Sequence, residues 1–216
     1  MHIPDGYLDP WVAVLFFVLS AVAEVWAWRG LKGRLHGASI STVAVCSSFV
    51  FAAQMLNFPI IFGTSGHLVG GTFLAMLLGP QGAVASMSMV ILLQAFLLGD
   101  GGMTALGANI FNMAVMGGLS FYFFELLGRR FHMNFLAGAF AASWASVMVG
   151  GTLAGLEIGV SSVFTPSGGI FVTVPSMAFW HSLIGIGEGA ITVALLGQLN
   201  RSHPALLLGL RGWKVD

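Results

Sequence analysis

The sequence predicts an all-α integral membrane protein: a polytopic bundle of about seven transmembrane helices, with the N-terminus outside and the C-terminus in the cytoplasm. Of its 216 residues, 57% are hydrophobic and only 7% are charged, whereas soluble domains have roughly 25% charged residues. The net charge is zero, so the chain lacks the basic surface that nucleic-acid binding requires. Long apolar runs alternate with short turns, which is typical of multi-span membrane proteins.

Apolar runs and turn residues place the first two helices. The first span is predicted at about 10–28, and basic residues follow it at Arg29, Lys32 and Arg34. Because acidic residues precede this run, we interpret it as an uncleaved span and not as a signal peptide. The second span is predicted at about 39–57 and ends near Pro59, where a proline is compatible with a helix end.

The next apolar stretch is interrupted by the turn Gly79-Pro80-Gln81-Gly82, which separates 68–78 from 83–98. Both pieces are shorter than the roughly 20 residues that a helical crossing needs. Charge favours two crossings over one interrupted helix. Two crossings place all eight Lys and Arg residues on the cytoplasmic side, as membrane proteins prefer, and leave four carboxylates facing out: Asp5, Asp9, Asp100 and Glu157.

The remaining spans are predicted at about 107–128, 133–156 and 174–199, with an outer loop at 157–173. The chain is then a single integral-membrane domain, residues 1–216. It comprises an N-terminal tail (1–9), the helix bundle (10–200) and a cytoplasmic tail (201–216). Glycines spaced four residues apart, as at Gly151, Gly155 and Gly159, predict close contacts between helices.

The first residues of the chain form a candidate metal chelator. With Met1 as a free N-terminus, its amine, the backbone nitrogen of His2 and the His2 imidazole can bind one ion through fused five- and six-membered rings. A fourth nitrogen from His67, in Gly63-Thr64-Ser65-Gly66-His67, would complete the square-planar set that Ni(II) and Cu(II) favour. Histidine also occurs at position 2 by chance, so the motif alone does not decide the function.

Polar side chains concentrate at the predicted outer ends of the spans, where they indicate an outward-facing pocket. His181 and Glu188, seven residues apart, share one face of the last span. We interpret Glu188 as the one carboxylate well inside a predicted span, and three roles remain open for it: a pair with His181 or another polar group, stabilisation of the metal charge, or a buried structural pair. His36, His132 and His203 are expected at the cytoplasmic interface. The side chains that could surround the ion without binding it are Ser65, Gln94, Asn109, Asn112, His181 and Glu188.

Four stretches together resemble the substrate-binding components of energy-coupling-factor transporters for nickel and cobalt. They are Met1 to Leu8, Gly63 to Leu68, Gln94 to Asn112, and His181 to Thr192 with Gly187-Glu188-Gly189. The resemblance covers essentially the whole chain. It implies metal binding through Met1, His2 and His67, with Ni(II) as the transported substrate and Co(II) as the alternative.

The resemblance also implies the location and the partners. The chain would lie in the cytoplasmic membrane of a bacterium or archaeon. It would work with a transmembrane coupling subunit, cytoplasmic ATPase subunits and a small accessory membrane subunit. It would not be an enzyme, and the sequence contains no G-x-x-x-x-G-K-[ST] nucleotide loop of its own.

Two other functions are considered. Ser65 near His67, or Ser182 beside His181, superficially suggests an intramembrane serine hydrolase, although sequence neighbours seldom have the geometry of a base and a nucleophile. A passive channel would need no N-terminal chelator and would conduct without ATP.

Overall fold

The computed structural model describes residues 1–32, 37–61 and 63–210. Arg34, His36, Arg211 and Lys214, which the sequence predicts on the cytoplasmic side, lie outside the described residues. The fold is a bundle of α-helices, and the all-α prediction is confirmed. Within the described ranges, one β element pairs two strands of two residues each, β1 (Phe58–Pro59) and β2 (Ser65–Gly66), in antiparallel register.

The long helices follow the predicted spans closely. Helix bounds extend the predictions by a few residues at most ends, as expected because hydropathy does not mark the last helical turn. In the described residues, five helical segments are long and apolar enough to cross a membrane, and α2 is shorter. The helices are α1 (Pro10–Leu31), α2 (Gly37–Gln54), α3 (Gly71–Leu93), α4 (Leu106–Asn109), α5 (Met116–Phe131), α6 (Phe135–Gly159) and α7 (Ile170–Ser202).

Short irregular helices extend several of these elements. A π-helical turn, Gln94–Leu98, continues α3, and a second one, Ile110–Val115, joins α4 to α5. Two 3-10 helices, Ser162–Ser167 and Pro204–Leu210, lie before and after α7.

Helix α3 consists of two antiparallel arms that meet at Gly79, whose φ of 74° and ψ of 171° are not helical. The Gln54 side chain shows the reversal, because its Nε2 lies 2.6 Å from the carbonyl oxygen of Val69 and 3.3 Å from Sδ of Met87. In a continuous helix, eighteen residues would separate these two groups by about 27 Å. The predicted turn is therefore present and reverses the chain.

The predicted segment 68–78 is helical only from Gly71 onward. The first arm, 71–78, is about 12 Å long at the helical rise, and residues 67–70 lead into it without regular structure. That non-helical backbone is possible because His67 and Val69 are buried within the protein, where side chains can satisfy its polar groups.

Helices α6 and α7 pack closely along the predicted glycine spacing. A Cβ atom added at Gly151 would lie 2.2 Å from Cγ of His181, and one at Gly159 would lie 2.3 Å from Oγ1 of Thr173. Only glycine lets the two backbones approach to this distance, so α6 and α7 form one tightly packed pair.

Two carboxylates lie in surroundings that the sequence did not indicate. Glu157, predicted on the outer side, is buried in the last turns of α6, where its carboxylate accepts a hydrogen bond of 2.8 Å from Nδ2 of Asn112. The prediction that Glu188 is the one carboxylate well inside a span is wrong, because Glu24 lies within α1 and accepts a hydrogen bond of 2.5 Å from Oγ of Ser88. Apolar helices carry no polar stripe that would show which side of the helix meets protein.

Candidate metal centre

The N-terminal tail folds back into one end of the bundle and buries its first three residues. Met1, His2 and Ile3 are each 3% exposed or less. The tail is fixed at its turn by Asp5, whose Oδ1 accepts hydrogen bonds of 2.7 and 2.5 Å from the N–H and the hydroxyl of Thr104.

Asn109 of α4 holds the main chain of Ile3 from both sides. The N–H of Ile3 donates to Oδ1 of Asn109 at 2.8 Å, and Nδ2 of Asn109 donates back to the Ile3 carbonyl at 3.1 Å. The N–H of Gly102 adds a third bond to that carbonyl, at 2.8 Å. A Cβ at Gly102 would lie 2.3 Å from the Asp5 nitrogen, so glycine is needed there for the tail to pass.

Ser65 of β2 contacts both main-chain nitrogens of the predicted chelate. The Met1 amine donates to the carbonyl oxygen of Ser65 and, at 3.2 Å, to its hydroxyl. The His2 N–H donates to the same hydroxyl, also at 3.2 Å. The two nitrogens therefore lie side by side against the loop that carries His67.

The imidazole rings of His2 and His67 are neighbours, with centroids 4.6 Å apart and ring planes 20° from parallel. In His67, Nδ1 lies 2.7 Å from the carbonyl oxygen of Leu68, which acts as its acceptor. This contact leaves Nε2 of His67 as the lone-pair nitrogen, buried and without a hydrogen-bond partner.

This arrangement fits the dimensions of a metal centre. Two imidazoles on adjacent corners of one square-planar ion, each with a metal–nitrogen bond of about 2 Å, have centroids roughly 4.5 Å apart. No group of three His, Cys, Asp or Glu side chains able to hold a metal occurs among the residues that the structure describes. A site here depends on two main-chain nitrogens, the amine of Met1 and the backbone nitrogen of His2.

Burial favours the unprotonated forms of the Met1 amine and of the two histidine rings. Desolvation lowers the pKa of the Met1 amine to about 4, against a smaller opposing effect of the Asp100 charge. Desolvation and the nearby amine lower the pKa of His2 to about 3. The pKa of His67 is also lowered well below its usual value, first by burial and then by the charges of the amine and of His2. At neutral pH these groups present lone pairs, as metal ligands must.

Asp100 borders the donor set, although the sequence predicted it only as an outer carboxylate. Its Oδ1 lies 3.4 Å from Nδ1 of His2, and its side chain is 16% exposed. Its other oxygen accepts a hydrogen bond of 3.2 Å from Nδ2 of Asn57. Burial raises the pKa of the Asp100 carboxyl, and the Met1 amine opposes this effect. The sequence signal that could have identified Asp100 is its position in Gly99-Asp100-Gly101-Gly102, within one of the four stretches that resemble the transporter family.

The other predicted side chains have distinct positions. Gln94 is fully buried beside the His2 ring, and Asn109 holds the tail. Asn112 instead bonds to Glu157. His181 is buried next to this centre and hydrogen-bonds through Nδ1 to the carbonyl oxygen of Met177 at 2.9 Å.

Glu188 does not pair with His181. Its two oxygens accept hydrogen bonds from the backbone N–H groups of Val69 and Gly70.

The structure gives no support to serine chemistry. The hydroxyl of Ser65 accepts from two main-chain nitrogens, and that of Ser182 donates to the carbonyl oxygen of Phe179 at 2.7 Å. In the described part of the chain, neither hydroxyl is hydrogen-bonded to an imidazole.

The fold and the centre define a multi-pass membrane protein that buries its N-terminal amine beside two histidine rings at one end of its bundle. Residues 2–206 match the CbiM family, described as the cobalt uptake substrate-specific transmembrane region, and the chain belongs to this family. The family resemblance predicted from the sequence is thereby confirmed.

Individual relatives agree with this assignment. The chain is 40% identical to a putative fused nickel transport protein, NikMN, of Archaeoglobus fulgidus, over 96% of this chain and 68% of that protein. It is 42% identical to a putative metal transport protein of Haloquadratum walsbyi, over 96% of this chain and 93% of that protein. A crystal structure described as a truncated transition metal transporter superposes with a TM-score of 0.87 at 30% identity, covering 94% of this chain and 100% of that one.

Proposed function

We propose that this protein captures Ni(II) at the outer face of the cytoplasmic membrane and delivers it inward as the substrate-specificity subunit of an energy-coupling-factor importer. The observation that carries the proposal is the cluster of four nitrogens: the amine of Met1, the backbone nitrogen of His2 and the rings of His2 and His67. All four belong to residues 3% exposed or less, so the protein replaces the hydration shell of the ion with nitrogen ligands.

The donor set favours nickel over cobalt. Four in-plane nitrogens, one of them a deprotonated amide, give a strong square-planar field that suits the d8 ion Ni(II). Co(II) uptake is the alternative, because the description of the family names cobalt, whereas the name of the Archaeoglobus fulgidus relative includes nickel.

The importer requires partners that supply energy. The proposal includes a transmembrane coupling subunit, cytoplasmic ATPase subunits and a small accessory membrane subunit, as in transporters of this class. This chain would contribute the metal site, and the ATPase subunits would hydrolyse ATP.

Blocking the N-terminal amine tests the proposal. Extending the chain by six residues ahead of Met1 converts the amine to an internal amide and prevents the tail from seating. Nickel binding to the purified protein, measured by isothermal titration calorimetry, should then fall at least about 100-fold, while folding and membrane insertion persist. A single inserted residue is not suitable, because histidine at the third position can itself chelate nickel with the amine and two amides.

The measurement needs a protein whose N-terminus is Met1, which intact-mass spectrometry verifies. Extending the chain at its C-terminal end is the matched control and should leave binding unchanged. Wild-type nickel affinity in the N-terminally extended protein would refute the chelate.

Metal choice is tested separately. The protein is purified from cells grown with equal nickel and cobalt, and its metal content is measured by mass spectrometry. Nickel should predominate, and the bound ion should be yellow and diamagnetic. A protein loaded mainly with cobalt would overturn the nickel assignment and leave metal capture intact.

A further inference from the structure

The segment that presents His67 passes through the interior of the bundle without regular structure. Residues 67–70 connect β2 to α3 without regular structure of their own, although the Gly70 carbonyl accepts a hydrogen bond of 3.0 Å from the N–H of Leu74 in the first turn of α3. Polar main-chain groups outside regular structure are costly to bury unless side chains satisfy them. Their partners therefore determine how firmly His67 is held.

Glu188 supplies two of those partners. The N–H of Val69 donates to Oε2 of Glu188 at 2.7 Å, and the N–H of Gly70 donates to Oε1 at 2.6 Å. The carbonyl of Val69 accepts from Nε2 of Gln54 at 2.6 Å. The backbone just after His67 is thus held on one side by α7 and on the other by α2.

The carboxylate is itself fixed by the packing of α7. The residues flanking Glu188 on its helix lie against α6, because a Cβ at Gly189 would be 2.7 Å from the Phe140 ring and one at Gly185 would be 3.0 Å from the Trp144 ring. Glu188 is 2% exposed, so it cannot exchange its amide partners for water.

We propose that Glu188 is a positioning residue for metal capture, which ties the backbone after His67 to α7 and so holds the His67 imidazole against the tail chelate. This inference rests on the proposed function, since it requires His67 to bind the ion. The other donors belong to the tail, which Asn109 of α4 holds. A displacement of α7 relative to α4 would separate His67 from Met1 and His2 and release the ion.

The test is a double-mutant cycle between Glu188→Gln and His67→Ala. Glutamine keeps the size of the side chain but replaces one acceptor oxygen by an NH2 donor, so one of the two backbone amides loses its partner. Nickel affinity should fall about 10-fold or more, as for other residues that orient metal ligands. In the His67→Ala background, Glu188→Gln should cause no further loss, because the ligand that it positions is already absent.

A second readout does not involve metal. Hydrogen exchange of the peptide that contains Val69 and Gly70 should speed up at least about 10-fold in Glu188→Gln without added nickel. Glu157→Gln is the matched control, because Glu157 is also buried but bonds to Asn112. Glu157→Gln should not change the hydrogen exchange of that peptide, and its effect on nickel affinity should show no coupling to His67→Ala. If Glu188→Gln does not fold, Glu188→Asp, which keeps the charge on a shorter side chain, replaces it.

The outcomes separate the two proposals. Unchanged nickel affinity in Glu188→Gln, or an equal loss in the presence and absence of His67, overturns the positioning role. If His67→Ala alone leaves nickel affinity unchanged, the proposed donor set fails instead. The exchange measurement then decides whether Glu188 holds the segment.

Discussion

At the residue scale, the candidate centre consists of ordinary groups whose chemistry is changed by burial. In an exposed amine or histidine, protons would compete with the metal ion for the nitrogen lone pair near neutral pH. Here desolvation lowers the pKa of the Met1 amine to about 4 and that of His2 to about 3. The ring of His67 is oriented by its bond to the Leu68 carbonyl, which directs the other nitrogen away from the backbone.

Replacing His67 by alanine should weaken nickel binding without abolishing it. The three nitrogens of the tail remain, but the fourth corner of the square is left to water or a stray ligand. We expect a loss of at least about 10–100-fold, because changes to residues that only orient ligands already cause that much. Isothermal titration calorimetry measures the loss. His203→Ala, at an exposed histidine beyond α7, should bind nickel like wild type. If His203→Ala lost nickel affinity and His67→Ala did not, the assignment of His67 would be contradicted.

The stability of the protein without metal should fall as the pH is lowered from 8 towards 5. The amine and the histidines have ordinary pKa values of 8.0 and 6.5, which burial lowers in the folded protein. The unfolded chain therefore binds more protons in this range, so the free energy of unfolding decreases with falling pH. Thermal unfolding should show a melting temperature at least about 5 °C lower at pH 5 than at pH 8.

A variant with glutamine at both His2 and His67 is the control for this pH effect and should show a smaller shift. A melting temperature independent of pH in the wild type would mean that these groups are not buried as described.

Nickel affinity should depend on pH less steeply than exposed donors would require. Because the amine and both rings are already unprotonated at neutral pH, only the amide of His2 has a proton to release. Calorimetry in buffers of different ionisation enthalpy between pH 6.5 and 8 should show about one proton released per nickel ion bound. Release of three or more protons would indicate that the donors are protonated before the metal binds.

At the element scale, the reversal inside α3 brings the Val69 backbone and the side chain of Met87 to the same amide of Gln54. The turn depends on Gly79, because a φ of 74° with a ψ of 171° is a backbone conformation that is nearly restricted to glycine. Pro80 starts the second arm, where its missing N–H costs no helical hydrogen bond.

Gly79→Ala should destabilise the protein through backbone strain alone. A Cβ at this position would contact nothing within 4 Å, so steric clash with neighbours does not contribute. The expected loss is about 1–3 kcal/mol, measured by chemical or thermal unfolding. Gly197→Ala in α7 is the matched control, because its Cβ also meets open space but its backbone is helical, and alanine should there stabilise by up to about 1 kcal/mol. Equal effects of the two changes would rule out a strained turn.

At the scale of the whole molecule, function depends on which end of the bundle faces outward. The tail, the loop of His67 and the chain around Asp100 meet at one end of the bundle. The proposed import requires this end to face the outside, as the distribution of basic residues predicts.

Labelling of single cysteines in intact cells tests that orientation. In a Cys46→Ser background, Ser167→Cys lies in the exposed 3-10 helix before α7, and Ser202→Cys lies exposed at the other end of α7. A membrane-impermeant maleimide should label position 167 in whole cells and position 202 only after the membrane is opened. The opposite pattern would place the metal centre on the cytoplasmic side.

The sequence by itself determined the class of protein, most of the helices and the candidate donors. Composition and hydropathy suffice for the first two, because a helix that crosses a bilayer must be long and predominantly apolar. The candidate chelating residues were recognisable because Met1 and His2 are contiguous, and the geometry of such a chelate follows from covalent bonding. His67 was a candidate for the fourth ligand by its residue type, and the family resemblance supported this choice and marked the surrounding stretches.

Only the tertiary structure decided which side chains of the apolar helices face one another. It buried Glu157 against Asn112, placed Asp100 beside His2, and directed Glu188 to the backbone after His67 and away from His181. These helices are apolar on all sides, so their sequences contain no periodic signal for rotation about the helix axis. That rotation is set by contacts between segments far apart in the chain, such as the glycine faces that join α6 to α7.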